Sequence, residues 1–525
     1  MRNKRQALVV CAHLRPGRTK GCSRNYMQPL SGLHIASLID PRNFDVQLYH
    51  EDWHGPYDTS QRDAYDLVII TGLQVDFDRM RQLSYHFQRH GAVVVAGGSI
   101  CTLFPEFATR FFDVVCAGGV DSVRNVCADF LAGDLKAIYR SPQTKVTNYK
   151  VDYTHFNKSG INTVVHLVEA SRGCSFRCSF CAIPAEGADH TSYQLEVVAE
   201  AIESAIASSP YFSFQRWYPM IFFLDNNFSD NREKMLELCN YLRNHKKIRA
   251  WGAMVTQDAL HDRKLVDKLA GAKCRAIFVG LESLDREFLR RFNKKQNLSR
   301  RNNIIDDIAY AESKGICVTY GYLFDPRTHS VGEMKAQIAL LERTARLPMP
   351  LYFSLIIPIV GTASFWDDIR GGELRPNLLL RDLDGETITY SRLEDKTDEV
   401  TKFVKAFNRA PASVVSRRRV LLKALKCIWK SATLNPVQWY VIWAFNFRPF
   451  IWAGSHTSPR QSYLAGEDIL DPQYFEYPAD ISDEDRKTYF EPIRVTDNKG
   501  QLCEWLKPYA KGRLYALGSH ERAIG

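Results

Sequence analysis

The sequence predicts an α/β protein with a doubly wound N-terminal domain, a partial (β/α)6 barrel and a mainly helical C-terminal region. Two observations lead to this prediction. Short apolar runs rich in Val and Ile alternate with helix-like stretches in two separate series along the chain, and this alternation stops after Gly361. We therefore expect three domains, at residues 1–140, 155–365 and 366–525.

The first series contains five compact runs of the kind found in parallel sheets that are covered on both faces. They are ALVV (7–10), FDVQLYH (44–50), DLVIITG (66–72), AVVVAGG (92–98) and DVVCAGG (113–119). Helical patterns separate most of them, around 28–39, 77–90 and 121–132. This order predicts a five-stranded Rossmann-like domain that binds ligands at the carboxyl ends of its strands. Residues 135–160 are predicted to be a connecting segment.

The second series has six apolar runs separated by helix-like stretches. The runs are TVVHLVEAS (163–171), MIFFLDNN (220–227), RAWGAMV (249–255), RAIFVGLES (275–283), ICVTYGYLFD (316–325) and LYFSLIIPIVG (351–361). The predicted helices cover 193–207, 231–245, 264–271, 300–314 and 332–346. Six β/α units in this length favour a partial parallel barrel, whose chemistry takes place at the carboxyl ends of the strands.

Composition places the chain among folded globular proteins, with 45% hydrophobic and 24% charged residues. The basic start, MRNKRQALVVCAHL, has too short an apolar run for a secretory signal, and a strand-like segment continues it. We therefore expect a reducing cytoplasmic location, where grouped cysteines bind metals more often than they form disulfides.

Three of the thirteen cysteines form a close group directly after the first strand of the barrel series. Cys174, Cys178 and Cys181 lie in the stretch EASRGCSFRCSFCAIPAEG (169–187). Soft thiolate ligands favour an iron–sulfur cluster, zinc or copper(I). A structural zinc site needs four ligands, and no second cysteine pair follows nearby. Three buried structural cysteines are the alternative without a metal.

The C-x3-C-x2-C spacing, with Phe180 before the last cysteine, resembles the radical S-adenosylmethionine (SAM) superfamily. Downstream segments extend the resemblance from residue 163 to residue 362. They are FFLDNNF (222–228), WGAMVTQDAL (251–260), VGLESLDREFLRRFNKKQN (279–297) and IIPIVGT (356–362).

The resemblance implies a [4Fe-4S] cluster on Cys174, Cys178 and Cys181 whose fourth iron is left for SAM. In that family, reduction of the cluster cleaves SAM to a 5′-deoxyadenosyl radical. The resemblance also makes Asp225, Asn226 and Glu282 candidate SAM contacts. Asp225 and Asn226 could instead cap the next helix, and Lys294 and Asn297 could form a solvated pair at a helix end.

An α/β domain before such a barrel resembles the cobalamin-binding class of this superfamily. On that resemblance, Gly97 and Gly98 allow close backbone approach to the nucleotide tail of cobalamin. The stretch from Thr71 to Leu73 matches the S-x-L position of the same domain. The D-x-H-x-x-G motif, which supplies an axial histidine in cobalamin mutases, is absent. Its absence argues against histidine ligation, and a vestigial sheet without cobalamin is the alternative.

The resemblance implies a cobalamin-dependent methyltransferase that acts on an unactivated carbon of a small-molecule or lipid-like metabolite. A flavodoxin or ferredoxin would supply its electrons. One alternative is a cobalamin-free radical SAM enzyme that performs cyclisation or carbon–carbon bond formation and has a degenerate N-terminal domain. Another is a non-catalytic scaffold in which the cysteines bind zinc.

The positive charge of the chain is concentrated in its C-terminal region. Residues 401–466 carry eleven Lys or Arg and no acidic residue, whereas the whole chain carries +10. Within this window, residues 416–454 predict a basic amphipathic helix followed by aromatic residues, which suits peripheral contact with a membrane. Alternatively, the apolar face packs on the barrel and the aromatics line the substrate pocket. No RNA-binding module is recognisable, so nucleic acid is not an expected partner.

Overall fold

The computed structural model describes most of the barrel and N-terminal domain and part of the C-terminal region. The described residues are 4–13, 30–60, 62, 64–142, 149–161, 165–210, 213–298, 303–344, 346–391, 397–409, 415–416, 418, 421–422, 425, 464–466 and 477–510. Most of the basic aromatic segment 416–454 therefore lies outside the described residues.

The N-terminal domain is built on a parallel six-stranded sheet of order β2-β1-β3-β4-β5-β6. Its strands are β1 (Arg5–Cys11), β2 (Phe44–His50), β3 (Leu67–Gly72), β4 (Val93–Gly98), β5 (Val114–Gly118) and β6 (Ile138–Ser141). Its helices are α1 (Ser31–Leu38), α2 (Glu51–His54), α3 (Phe77–Arg89), α4 (Ser99–Leu103), α5 (Pro105–Ala108) and α6 (Ser122–Ala132). The five predicted strands and the three predicted helices are confirmed.

Both faces of this sheet are buried, as the continuous apolar runs predict. In β1, Val9 belongs to one core cluster and its neighbour Val10 to the cluster on the opposite face. The predicted number of strands is too low, because a sixth strand, β6, forms within the segment predicted to be a connector. This strand lies at the edge of the sheet, and among the described residues it pairs only with β5. Its sequence, IYRS, accordingly lacks the apolar run of a central strand.

The barrel domain begins with α7 (Thr154–Lys158) and contains five strands in the parallel order β13-β12-β11-β10-β7, with β14 and β15 as a further parallel pair. These strands are β7 (His166–Val168), β10 (Met220–Phe223), β11 (Ala250–Val255), β12 (Cys274–Val279), β13 (Cys317–Thr319), β14 (Gly321–Phe324) and β15 (Tyr352–Leu355). Two short strands, β8 (Ser171–Arg172) and β9 (Thr191–Ser192), pair antiparallel. All six predicted strand regions contain strands, so the partial barrel is confirmed.

The helices of the barrel follow the predicted spacing. They are α8 (Ala182–Ala185), α9 (Leu195–Ser208), α10 (Phe214–Trp217), α11 (Arg232–Asn244), α12 (Asp258–His261), α13 (Arg263–Gly271), α14 (Arg286–Arg291), α15 (Ile304–Ser313) and α16 (Val331–Arg343). The fifth predicted strand is divided at Tyr320, because the chain changes partner there. Before Tyr320 it pairs with β12, and after it the chain pairs with β15.

The described part of the C-terminal region contains α17 (Ala363–Arg370), α18 (Thr397–Arg409) and the short α19 (Asp483–Asp485). Residues 477–510 pack on the N-terminal domain. Arg81 of α3 is buried and donates to the carbonyl oxygens of Thr488 and Glu491. The ring of Trp505 stacks on Phe107 with centroids 4.2 Å apart. The end of the chain thus covers the face of the sheet that carries α3 and α5.

Candidate active site at the barrel mouth

The three grouped cysteines lie on one loop that a two-stranded clasp closes. This cysteine loop, residues 173–190, connects β8 to β9. The two strands pair with each other, and Arg172 of β8 lies opposite Thr191 of β9. At its start Gly173 has a φ of +77°, and a Cβ there would lie 2.1 Å from the backbone oxygen of Asp189. Only glycine allows the two ends of the loop to approach so closely.

The carboxyl end of β10 holds the first half of this loop. Asp225 accepts hydrogen bonds from the backbone N–H of Ala170 (2.9 Å) and from the hydroxyl of Ser171 (2.6 Å). Asn226 accepts one from the N–H of Gly173 (2.9 Å). Burial raises the pKa of Asp225 to about 7, although its hydrogen bonds with Ala170 and Ser171 lower it. The N-cap of α11 is Asn231, so the alternative in which Asp225 and Asn226 cap that helix is wrong.

The remainder of the loop is fixed by segments from the far side of the barrel. The N–H of Ser179 donates to the oxygen of Phe292 (3.0 Å), and the N–H of Ser364 donates to the oxygen of Ser179 (3.0 Å). The side-chain amide of Asn293 donates to the oxygen of Arg177 (2.8 Å). Strand β10, the segment after α14 and the start of α17 therefore position the loop together.

The three thiols differ in their exposure at the mouth. Cys178 is buried, whereas Cys174 and Cys181 are half-buried. Burial raises the pKa of Cys174, and it raises that of Cys181 to about 11. Because thiolates are the metal ligands, binding of a metal cluster releases the protons of the thiols. Two side-chain amides approach the sulfurs: Asn227 Nδ2 lies 3.9 Å from Cys174 Sγ, and Gln296 Nε2 lies 3.4 Å from Cys178 Sγ.

This donor set fits an iron–sulfur cluster better than a single metal ion. Within the described ranges, no three His, Cys, Asp or Glu side chains are grouped closely enough to hold one ion. A cubane makes a different demand, because each of its thiolates binds a separate iron. Three cysteines with amide donors at two of the sulfurs meet that demand.

Glu282 lies at the end of β12 in an unusual backbone conformation. Its φ is +63°, a region that residues other than glycine seldom adopt. Its carboxylate binds Lys294, with Nζ and Oε1 2.5 Å apart. Lys294 is buried, and so is Asn297, whose amide donates to the backbone oxygens of Gly280 and Leu281. The alternative that Lys294 and Asn297 form a solvated pair is therefore wrong.

The four candidate cobalamin residues share the carboxyl edge of the N-terminal sheet. Thr71 pairs with Gly97 in the β3–β4 register. Leu73 is the first residue after β3, and 67% of its surface is exposed. Gly98 has a φ of +110°, and a Cβ there would lie 2.4 Å from Gly72 O. A Cβ on Gly97 would meet nothing closer than 3.9 Å. The sheet itself thus requires glycine at 98 but not at 97, where a Cβ would have room.

This edge of the sheet faces the barrel mouth. The buried side chain of Gln74 donates to the oxygen of Val360 (2.8 Å) and accepts from its N–H (2.9 Å). Gln74 also donates to Ser99, which follows Gly98 (3.2 Å). A hydrogen bond from Ser99 lowers the pKa of Glu186 on the cysteine loop, although burial raises it more. The carboxyl ends of β3 and β4 therefore lie against both the cysteine loop and the loop after β15.

Sequence reasoning missed Gln74, Asn227 and Gln296. Asn227 and Gln296 lay within segments that carry the family resemblance, but no pattern assigned either of them a partner. Gln74 and Gln296 are single polar residues whose partners are 286 and 118 positions away. Only the folded chain reveals such pairings.

The predicted membrane segment falls mostly outside the described residues. Of the described side chains within it, Leu421, Leu422 and Leu425 are each close to half exposed. No helix in the described ranges combines the length and apolar character needed to cross a bilayer.

Comparisons with known proteins agree with this geometry. The sequence model of the Radical SAM superfamily matches residues 168–329. The bacteriochlorophyllide d C-8(2)-methyltransferase of Chlorobaculum tepidum is 24% identical over 412 residues, which cover 75% of this chain and 87% of that protein.

Two solved structures share the fold. The radical SAM methyltransferase TsrM from Kitasatospora setae, with cobalamin and a [4Fe-4S] cluster bound, has a TM-score of 0.53 at 16% identity, covering 72% of this chain and 80% of that one. The cobalamin-dependent radical enzyme OxsB, with aqua-cobalamin and SAM bound, has a TM-score of 0.56 at 14% identity, covering 84% of this chain and 70% of that one.

Proposed function

The chain belongs to the radical SAM superfamily, in the class whose barrel follows a cobalamin-binding-type domain, and from this premise we propose that it is a cobalamin-dependent methyltransferase. Its substrate is a small-molecule or lipid-like metabolite, and the methyl group goes to an unactivated carbon. The methyltransferase relative favours this function over the cobalamin-free alternative.

One observation carries the proposal: the edge of the sheet with Thr71, Leu73, Gly97 and Gly98 is held against the cysteine loop. A methyl donor bound at that edge and a cluster bound at the loop would face the same space. A substrate between them could lose hydrogen on one side and receive a methyl group on the other. Placement of this kind is the main contribution that a protein makes to cofactor chemistry.

The residues of the chain have distinct tasks in this proposal. Cys174, Cys178 and Cys181 hold the cluster, and Asp225 with Asn226 fixes the loop that carries them. Glu282, oriented by Lys294, and the exposed Asn226 are the proposed SAM contacts. When bound, the cluster and SAM supply a carbon-centred radical, and cobalamin supplies the methyl group. The chain positions these groups and excludes water.

Transfer of label from methyl-labelled SAM tests the function. The reconstituted full-length protein is incubated anaerobically with a reductant, hydroxocobalamin and a panel of extracted metabolites. Label in a product, with 5′-deoxyadenosine formed alongside, is the expected result. Formation of 5′-deoxyadenosine without any labelled product, together with a cyclised or coupled product, would support the cobalamin-free alternative.

Gln74→Ala is expected to uncouple SAM cleavage from methyl transfer. The truncation leaves the buried N–H and C=O of Val360 without their partner, which lowers the free energy of unfolding by about 2 kcal/mol. Without Gln74, the carboxyl edge of the N-terminal sheet is no longer held at a fixed distance from the barrel mouth. We therefore expect less methylated product per 5′-deoxyadenosine formed. The control is Gln82→Ala, a buried glutamine of the same domain on α3. An unchanged product ratio in Gln74→Ala would contradict this role.

The surface beside the cysteine loop fits an acidic electron donor such as a flavodoxin or ferredoxin. Residues 285–298 contain five basic residues and two acidic ones. Arg286, Arg290 and Lys295 are exposed, and Arg177 on the loop has 52% of its side chain exposed. Like-signed charge beside a redox site steers a partner of opposite charge to it.

Reversing two of these charges tests the donor surface. In Arg290→Glu with Lys295→Glu, SAM cleavage driven by flavodoxin should slow by about tenfold at low salt. Cleavage driven by titanium(III) citrate should be unchanged. The matched control, Lys246→Glu with Lys247→Glu, alters exposed residues before β11, at the opposite end of the barrel. Equal rates with flavodoxin in both variants would refute the surface.

Peripheral membrane contact through residues 416–454 is part of the proposal. Its support is the basic sequence pattern together with the exposed Leu421, Leu422 and Leu425. We expect the protein to sediment with anionic vesicles at low salt and to be released at high salt. Failure to sediment at low salt would remove this contact.

A further inference from the structure

Two side-chain amides point at sulfurs of the cysteine loop, although neither belongs to it. Gln296 follows α14 and lies 3.4 Å from Cys178 Sγ, and Asn227 follows β10 and lies 3.9 Å from Cys174 Sγ. They come from opposite sides of the mouth, so two of the three sulfurs receive a donor from outside the loop.

The network around Asn227 fixes the orientation of its amide. Its Oδ1 accepts hydrogen bonds from the hydroxyls of Ser229 (2.9 Å) and Thr256 (3.4 Å). Its Nδ2 donates to the carboxylate of Asp230 (3.2 Å). The flipped amide would place Oδ1 against that carboxylate, where two acceptors would repel, so the N–H group faces the sulfur. Asn227 is also fully buried.

Gln296 is placed at a cost to folding. Its Oε1 is buried, and no donor among the described residues reaches it. A buried carbonyl oxygen without a partner lowers the stability of a fold. The nitrogen of the same amide is the atom that meets Cys178. Among the described residues, the amide of Gln296 therefore has its side-chain contact at the sulfur and none at its oxygen.

Amide donors act on a bound cluster through charge. The reduced cluster carries one more negative charge than the oxidised cluster, and its thiolates share that charge. An N–H···S hydrogen bond therefore stabilises the reduced form more and raises the reduction potential.

We infer that Gln296 and Asn227 are positioning residues that raise the reduction potential of the cluster bound by Cys174, Cys178 and Cys181. The inference rests on the proposed function, because it requires the cluster. It assigns these two residues the task of bringing the one-electron couple within reach of the electron donor. Neither residue touches SAM or substrate in this role.

Gln296 is the residue to test, because it is only partly buried and Asn227 supports the loop through Asp230. The full-length reconstituted protein is titrated with redox mediators, and the reduced cluster is followed by electron paramagnetic resonance. In Gln296→Leu and Gln296→Met, the equilibrium constant for one-electron reduction should fall about tenfold, which is a negative shift of about 59 mV. Iron content and folded structure should match the wild-type protein.

Lys295→Met is the matched control, because it alters an exposed neighbour and removes a charge. A shift in the control as large as in the Gln296 variants would overturn the inference, as general electrostatics would then explain both. So would a full iron content with an unchanged potential in Gln296→Leu. Loss of iron from both variants would also overturn it, since Gln296 would then serve assembly. A wild-type protein that assembles no cluster would instead refute the proposed function.

Discussion

Cys178→Ala is expected to abolish reductive cleavage of SAM while leaving the fold almost intact. Cys178 is buried, and the loop that carries it is fixed by hydrogen bonds to Asp225, Phe292 and Ser364 that do not involve its thiol. Removing a buried sulfur costs stability of about 1 kcal/mol. Removing one of three ligands leaves an iron without its thiolate, so the cluster is lost.

Iron content and 5′-deoxyadenosine formation under dithionite measure this effect. Cys127→Ala is the matched control, because Cys127 is also buried but lies on α6. The control should keep wild-type iron and activity. SAM cleavage that persists in Cys178→Ala would contradict the assignment of the cysteine loop.

Gly97→Val is expected to remove corrinoid binding without unfolding the protein. A Cβ at position 97 meets only ordinary contacts in the folded chain, and a β-branched residue suits a strand. Its methyl groups would occupy the open space beside the sheet edge. Because overpacking costs about 1–3 kcal/mol, we expect the affinity for hydroxocobalamin to fall at least about tenfold.

Gly98→Ala is expected to have the opposite profile. Gly98 has a φ of +110°, and an added Cβ would lie only 2.4 Å from Gly72 O, so there is no room for a side chain. The substitution should lower the free energy of unfolding by about 1–3 kcal/mol or more. Chemical denaturation and corrinoid titration of both variants separate the two effects. Wild-type corrinoid affinity in a folded Gly97→Val would refute the proposed corrinoid site at this edge of the sheet.

The sequence predicted those parts of the fold that depend on local pattern. Central strands such as β3 and β4 are continuous Val and Ile runs, so they could be read directly. The edge strand β6 could not, because one unpaired side permits polar residues. The division of the fifth barrel strand at Tyr320 could not be predicted either, because a change of pairing partner does not alter the hydrophobic pattern of the sequence.

In the candidate site, too, the residues of a local motif could be predicted, whereas residues with distant partners could not. Cys174, Cys178 and Cys181 form a motif with fixed spacing, so residue types alone indicated them. The roles of Gln74 and Gln296 depend on contacts with residues distant in the chain. The capping interpretation of Asp225 was wrong for a related reason, since its partners, Ala170 and Ser171, precede it by more than fifty residues.

Whether one chain holds both an iron–sulfur cluster and a corrinoid is decided by anaerobic reconstitution with iron, sulfide and hydroxocobalamin, followed by metal and corrinoid analysis of the desalted protein. We expect about four iron atoms per chain and a corrinoid that stays bound through desalting. A protein that retains zinc but assembles no iron cluster, or one that assembles the cluster and retains no corrinoid, would contradict this expectation.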